Sequence, residues 1–157
     1  MKIHLLVVGR TVGGPLSALI DDYVSRLSHY VPFTFEALSG PKSTKSLTPS
    51  RQCELEGAQL LDALRSDDYV VLLDEGGRQY RSVEFASWLS AKCHSVPRRL
   101  VFVVGGPYGF SPSVRAVARE RLSLSSMTFS HQLIRLLFVE QLYRAMTILR
   151  GEPYHHE

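Results

Sequence analysis

Cysteine is scarce. Cys53 and Cys93 are the only two in 157 residues, and they stand forty positions apart. That spacing suits neither a zinc site nor a redox pair, so the chain is expected to hold no metal and to keep two reduced thiols in the cytoplasm. Long apolar runs are missing as well. Nothing approaches the ~20 residues that cross a bilayer, so no membrane partner is expected. The run Ile3–Val8 before Gly9-Arg10 is too short for a secretory h-region and reads as a first strand. Nucleotide fingerprints are absent too. The first glycine turn, Gly9-Arg10-Thr11-Val12-Gly13-Gly14, is neither G-x-G-x-x-G nor a P-loop. There is no G-x-S-x-G elbow, and neither cysteine has a base close by in sequence, which weighs against nucleophilic catalysis.

Lysine is rare in the second half, and that absence points to a partner. Residues 1–78 hold eight Lys/Arg against ten Asp/Glu, a net of −2, whereas residues 79–157 hold ten against five, a net of +5. Every basic residue in that half except Lys92 is arginine, whose guanidinium makes bidentate phosphate contacts. Such a half suits a polyanion, although a charge of this size is also common on proteins that bind none.

What the chain does contain is a regular alternation. Apolar runs with β-branched or aromatic residues fall at Ile3–Val8, Phe33–Leu38, Tyr69–Leu73 and Leu100–Val104, with a weaker fifth candidate at Leu122–Phe129. The third and fourth are almost continuously apolar, as strands covered on both faces of a parallel sheet should be. Helical periodicity fills the gaps: Leu16, Leu19, Ile20, Tyr23, Val24 and Leu27 after Pro15, then 49–65 after Thr48, 82–93, and 112–121 after Ser111. The order predicts one doubly wound α/β domain over residues 1–157, with helices on both faces of the sheet.

The final helix, 133–150, is apolar around most of its circumference, with one polar strip through Glu140, Arg144 and Thr147. Such a helix has to be covered on more than one side, by the core or by a second copy of the chain. Arg135 stands on its apolar side beside Phe138, Val139 and Leu142. Burial there calls for a carboxylate or phosphate partner, unless the side chain snorkels to water.

Ligands of open α/β sheets bind beyond the carboxyl ends of the strands. Two of those ends carry paired glycines, Leu73-Asp74-Glu75-Gly76-Gly77 and Val104-Gly105-Gly106-Pro107-Tyr108-Gly109, and a third polar segment follows at Ser125-Ser126-Met127-Thr128. Paired glycines let a ligand lie on bare main chain, or simply make tight turns. Asp74, Glu75, His131 and the tail Tyr154-His155-His156-Glu157 are the titratable groups near these ends.

Several of these segments resemble one known family. They are Val103–Gly109, Leu122–Gln132, Arg135 with Glu140–Ala145, and Gly151–His155, supported by Met1–Gly9 and Leu72–Gly77. In this order and spacing they are similar to the RlmH family, the ribosomal RNA large-subunit methyltransferases H of the SPOUT class. The resemblance implies a minimal SPOUT fold whose C-terminal part forms a trefoil knot, a feature that general rules of chain topology would have argued against. It implies S-adenosylmethionine as cofactor, a homodimer, and methylation at N3 of a pseudouridine in large-subunit rRNA within the ribosome. Cofactor contacts are implied at Leu73, at Gly105 with Gly106, and along Leu124, Ser125, Ser126, Met127, Thr128 and Phe129. His155 with Tyr154, and Arg135 or Arg144, are the candidates for the catalytic roles. His155 or a bound water would take the imide proton, and an arginine would stabilise the anion or hold a phosphate. One departure is Ser130, where the family often has proline. The rival readings are an RNA-binding ribosome assembly factor without catalysis and a flavodoxin-like nucleotide-binding enzyme.

Overall fold

In the computed structural model, which describes residues 1–156, five strands and five helices alternate along the chain. They are β1 (Lys2–Val8), α1 (Gly14–Leu27), β2 (Phe33–Leu38), α2 (Pro49–Ala63), β3 (Tyr69–Gln79), α3 (Ser82–Ser95), β4 (Arg99–Val104), α4 (Pro112–Val117), β5 (Glu120–Ser123) and α5 (Leu133–Leu149). All pairings are parallel and the sheet order is β2-β1-β4-β3-β5, so the two most apolar runs, β4 and β3, lie side by side within the sheet.

Pleating sends alternate residues to opposite faces. Ile3, Leu5 and Val7 of β1 join Leu100 and Phe102 under α1, α3 and α5, while Leu6 and Val8 join Val101 and Val103 under α2 and α4. The result is a three-layer sandwich with two separate cores. The first is the larger, because α5 lies in it between α1 and α3. Phe138, Val139 and Leu142 are wholly buried there, each stabilising the fold by about 1.5–3 kcal/mol.

The helix starts follow their sequence signals. Thr48 Oγ1 accepts from Arg51 N at 3.1 Å and Ser111 Oγ from Val114 N at 3.4 Å, each followed by proline at the first helical position. Helix α5 ends in a left-handed Gly151 (φ 69°). Gly151 N donates to Ile148 O, and Glu152 N to Thr147 O at 2.9 Å. This Schellman closure turns the tail back over the helix.

Three boundaries differ from the sequence expectations. Strand β5 occupies Glu120–Ser123 instead of Leu122–Phe129. The serines end it: Ser123 Oγ donates to Ser125 O and Ser125 Oγ accepts from Met127 N, giving the main chain partners outside the sheet. Helix α4 stops at Val117 rather than near 121 because the sheet edge captures the next residues, with Arg119 N donating to Val70 O at 2.8 Å. Strand β3 runs on to Gln79, past an irregularity at which Leu122 is opposite both Leu73 and Arg78. That bulge pushes Asp74 and Glu75 out of the ladder. Gly77 within it lies so close to β5 that a Cβ would come within 2.6 Å of the Arg121 main chain.

After β5 the chain recrosses the strand ends to reach α5, and Gln132 pins the crossing by accepting from Val12 N at 2.8 Å and donating to Arg10 O at 3.0 Å. This route is compatible with a C-terminal knot. Among the described residues, no helix is long and apolar enough to cross a membrane.

Candidate functional site

The bulge of β3, the carboxyl end of β4 and the segment 124–131 converge on one cleft of about 620 Å³. Its size lies within the range of small-molecule sites. Leu73, Gly105, Gly106, Leu124, Ser125, Met127, Thr128 and Phe129 all line it, and Ser126 of the same loop does not. The floor is main chain. A Cβ on Gly105 would stand 3.0 Å from Gly109 O and 3.1 Å from the Phe110 ring, and one on Gly106 would stand 2.3 Å from the Glu56 carboxylate. Gly109 takes φ 77°, which a side chain would strain. The glycines are there because the main chain is close-packed from behind, which leaves its amides and carbonyls to face a ligand. Tyr108 and Met127 stand largely exposed among the lining residues.

Polar groups brace the walls. Thr128 Oγ1 donates to Glu75 Oε2, joining the β3 bulge to the 124–131 loop. Asp74 Oδ2 accepts from Arg115 Nη1 at 2.8 Å and from Arg121 Nη1 at 3.4 Å, and its Oδ1 from Gly76 N at 3.1 Å. Burial works against its charge, but these donors prevail and hold the carboxyl below the usual carboxylate range. Burial, and then the charge of Arg135 one turn on, lowers the His131 imidazole, so a neutral ring lines the cleft. Glu56 lies beneath Gly106, its Oε1 has no hydrogen-bond partner among the described residues, and burial pushes its carboxyl up.

A second cluster sits where the tail folds over the far end of α5. Glu140 Oε1 accepts from Arg144 Nη2 at 2.7 Å, Arg144 Nε at 3.2 Å and Tyr154 OH at 2.9 Å. Arg144 Nη1 lies 3.0 Å from His155 Nδ1, and its guanidinium covers the Tyr154 ring. An arginine only donates, so Nδ1 accepts and the neutral imidazole carries its proton on Nε2. Tyr154 also packs edge-on against Tyr143 and meets Tyr23 OH at 3.1 Å. Burial, then its bonds with Tyr23 and Glu140, raise the Tyr154 phenol well above its ordinary value. Tyr30 OH donates to Glu152 at 2.6 Å, and that bond, aided by burial, pushes its phenol up to about 12. Glu140, the acid that organises this cluster, was not among the candidates. Its i,i+4 spacing from Arg144 on the polar strip was the available signal.

Arg135 belongs to neither group. It is fully buried, and the carboxylate or phosphate expected for it is not what satisfies it. Its guanidinium donates to Val8 O at 2.8 Å, Gly9 O at 2.8 Å, His131 O at 3.0 Å and Thr11 Oγ1 at 3.2 Å. It ties the first strand end to the start of α5. The two clusters are also apart: Ile134 lines the cleft, and Arg144 lies ten residues on, roughly 15 Å along the helix axis. None of Glu140, Arg144, Tyr154 and His155 lines the cleft of its own chain. Among the described residues, no group of three or more His, Cys, Asp or Glu is placed to hold a metal ion.

Comparison with known proteins gives a consistent result. A family model described as "Predicted SPOUT methyltransferase" matches residues 1–155. The chain is 55% identical to the ribosomal RNA large subunit methyltransferase H of Parabacteroides distasonis, over 100% of both chains. It is 57% identical to the protein of that name in Phocaeicola vulgatus, again over 100% of both. The solved tRNA (m1G37) methyltransferase from Aquifex aeolicus superposes with TM-score 0.57 at 12% identity, covering 100% of this chain and 76% of that one. A Legionella pneumophila structure described as a methyltransferase with bound SAM gives TM-score 0.51 at 11% identity, covering 92% of this chain and 66% of that one. At such identities these two show the fold alone.

Proposed function

Because the chain belongs to the SPOUT methyltransferase family, we propose that it transfers a methyl group from S-adenosylmethionine to N3 of a pseudouridine in large-subunit ribosomal RNA, acting in the cytoplasm as a homodimer of single-domain subunits. The observation that carries this reading is the convergence of three loops, from β3, from β4 and before α5, on one glycine-floored cleft. The full-length relatives are named for the ribosomal RNA large subunit, and the arginine-rich second half of the chain suits that polyanion.

The cleft fits the cofactor in volume, in its mixture of apolar wall and bare main chain, and in its bracing by Asp74 and Glu75. Leu73, Gly105, Gly106 and the loop Leu124–Phe129 would hold it. When bound, S-adenosylmethionine supplies a methyl already activated on sulfonium, so the protein has mainly to bind and orient. The imide nitrogen of the target must lose a proton before it is a good nucleophile. His155 and Arg144 are the residues for that task. In the resting arrangement the Arg144 guanidinium occupies His155 Nδ1. This favours a bound water over the imidazole as proton acceptor, with His155 and Arg144 stabilising the negative charge on the base. Arg135 acts through the loops it fastens.

The 15 Å gap supports the homodimer, with the tail of one copy completing the cleft of the other. So does the outer strip of α5, where Leu133, Leu136, Leu137 and Gln141 remain partly exposed although α1 and α3 flank the helix. The decisive experiment uses large ribosomal subunits from cells lacking this activity, a labelled methyl donor and mass spectrometry of the RNA. One N3-methylated pseudouridine is expected. Binding of subunits without methyl transfer would instead support the assembly factor.

A further inference from the structure

The outer edge of the sheet carries a feature that the cleft does not use. Among the described residues strand β5 has no neighbour beyond it, and the chain entering it alternates Arg119, Glu120, Arg121, Leu122, with Arg119 just before the strand. Glu120 turns to the α3 side. There Trp88 Nε1 donates to it at 3.0 Å, Tyr69 OH donates to its other oxygen, and Lys92 pairs with it. Its charge is therefore consumed internally, and desolvation is outweighed by these donors, which hold the carboxyl below its ordinary value. Arg119 and Arg121 turn to the α4 side. With Arg115 of α4, Leu72, Ala118 and Glu120 they line a shallow groove of about 400 Å³. Asp74 pairs with Arg115 and Arg121, and the Glu120 carboxylate is engaged by Lys92, so the three arginines give the groove a net positive charge. Arg121 is joined to the cleft through Asp74 and Gly76, and Arg119 is two residues earlier, just before the strand begins, roughly 7 Å away.

We propose that this groove between α4 and β5 is a docking track for the phosphate backbone of the RNA, leading along the sheet edge to the mouth of the methyl-transfer cleft. The inference rests on the proposed RNA substrate. The chemistry is that of a polyanion strand: guanidinium groups in file, displayed by rigid elements and bordering the reaction site. Simple protection of an open edge also favours charge, but it needs neither one sign nor convergence on a groove.

Arg119 touches neither Asp74 nor the cleft, so Arg119→Glu isolates the track. Arg119→Lys retains the charge. Arg98→Glu makes the same reversal at the opposite, amino-terminal end of the strands, where Arg98 is exposed and pairs with Asp67. Binding of labelled large ribosomal subunits and methyl transfer are measured over a series of KCl concentrations, with thermal melting to check folding. Arg119→Glu should weaken subunit binding by about tenfold and lower the log–log salt slope by about 1, leaving turnover at saturation within about twofold. Arg119→Lys should restore most of the affinity, and Arg98→Glu should change little. Equal effects of the two reversals, or none from Arg119→Glu in a folded protein, overturn the track while leaving the methyltransferase reading intact. If the wild type binds subunits but transfers no methyl, the functional reading fails, and the binding series still decides the track.

Discussion

The two ends of α5 are built from different materials. At its start the cleft is made of main chain and glycine, and the bracing carboxylates Asp74 and Glu75 are engaged by Arg115, Arg121 and Thr128. At its finish the cluster of Glu140, Arg144, Tyr154 and His155 is made wholly of side chains. A main-chain cradle is fixed by packing and does not change protonation, which suits holding a ligand. A side-chain network has donors, acceptors and charge to rearrange, which suits chemistry. On the proposed reading, binding falls to one end and proton handling to the other.

The largest test of that division is at the tail. His155→Ala or Arg144→Ala should lower kcat for methyl transfer by about 10²- to 10⁴-fold, the usual scale for a positioned proton-handling group. Calorimetric affinity for S-adenosylmethionine should stay near wild type; a parallel loss would mean that the two ends are not separable. The next test asks whether the halves belong to different copies. Gly105→Val, which places methyl groups against Gly109 O and Phe110, should block the cleft. Mixed and reannealed with His155→Ala, each inactive alone, it should recover about a quarter of wild-type activity, because half the dimers are hybrids and each hybrid keeps one intact composite site. No recovery from a mixture shown by mass to contain hybrids would place the whole site in one subunit.

These regions also differed in how legible they were. The strands announced themselves by apolar continuity, since β3 and β4 have no wet face to force alternation. The helix starts at Pro49 and Pro112 were equally plain from Thr48 and Ser111. What could not be read was competition between elements. The residues after Val117 are acceptable in a helix, and only the open edge of β3 drew Arg119 to Val70 and made Glu120–Ser123 a strand. The cleft was visible because glycine pairs mark strand ends, whereas Ile134 was missed because an isoleucine has no local sign of lining a pocket. Arg135 was recognised as anomalous, but two of its partners, the carbonyl oxygens of Val8 and Gly9, lie more than 120 positions away, and no residue type advertises a carbonyl.

Arg135 sets a smaller, structural test at the junction of the two ends. Arg135→Met keeps the length and volume but strands the buried carbonyl of Val8 and the half-buried carbonyls of Gly9 and His131. The expected loss is about 3 kcal/mol, or a Tm fall on the order of 10 °C at this chain length. Both donor binding and turnover should weaken together, because the β1 end and the α5 start lose their common anchor. A loss of turnover with unchanged Tm and donor affinity would return Arg135 to a direct catalytic role.

The smallest effect is expected behind the cleft floor. Glu56 is 5% exposed, and its Oε1 has no hydrogen-bond partner among the described residues, so burial raises its carboxyl above the unfolded-chain value. For an acid raised in this way the stabilising contribution is full below the unfolded value. It falls as pH rises through the interval between the unfolded and folded values, and is level above it. Glu56→Gln removes that loss, so it should stabilise the fold by about 1 kcal/mol near pH 8, with the gain fading toward pH 4. Tm measured across this range for both proteins decides the matter, and parallel curves would show that the carboxyl does not change its proton affinity on folding. If the curves converge at low pH, Glu56 is a titratable group held under Gly106, where it governs the floor's stability without lining the cleft.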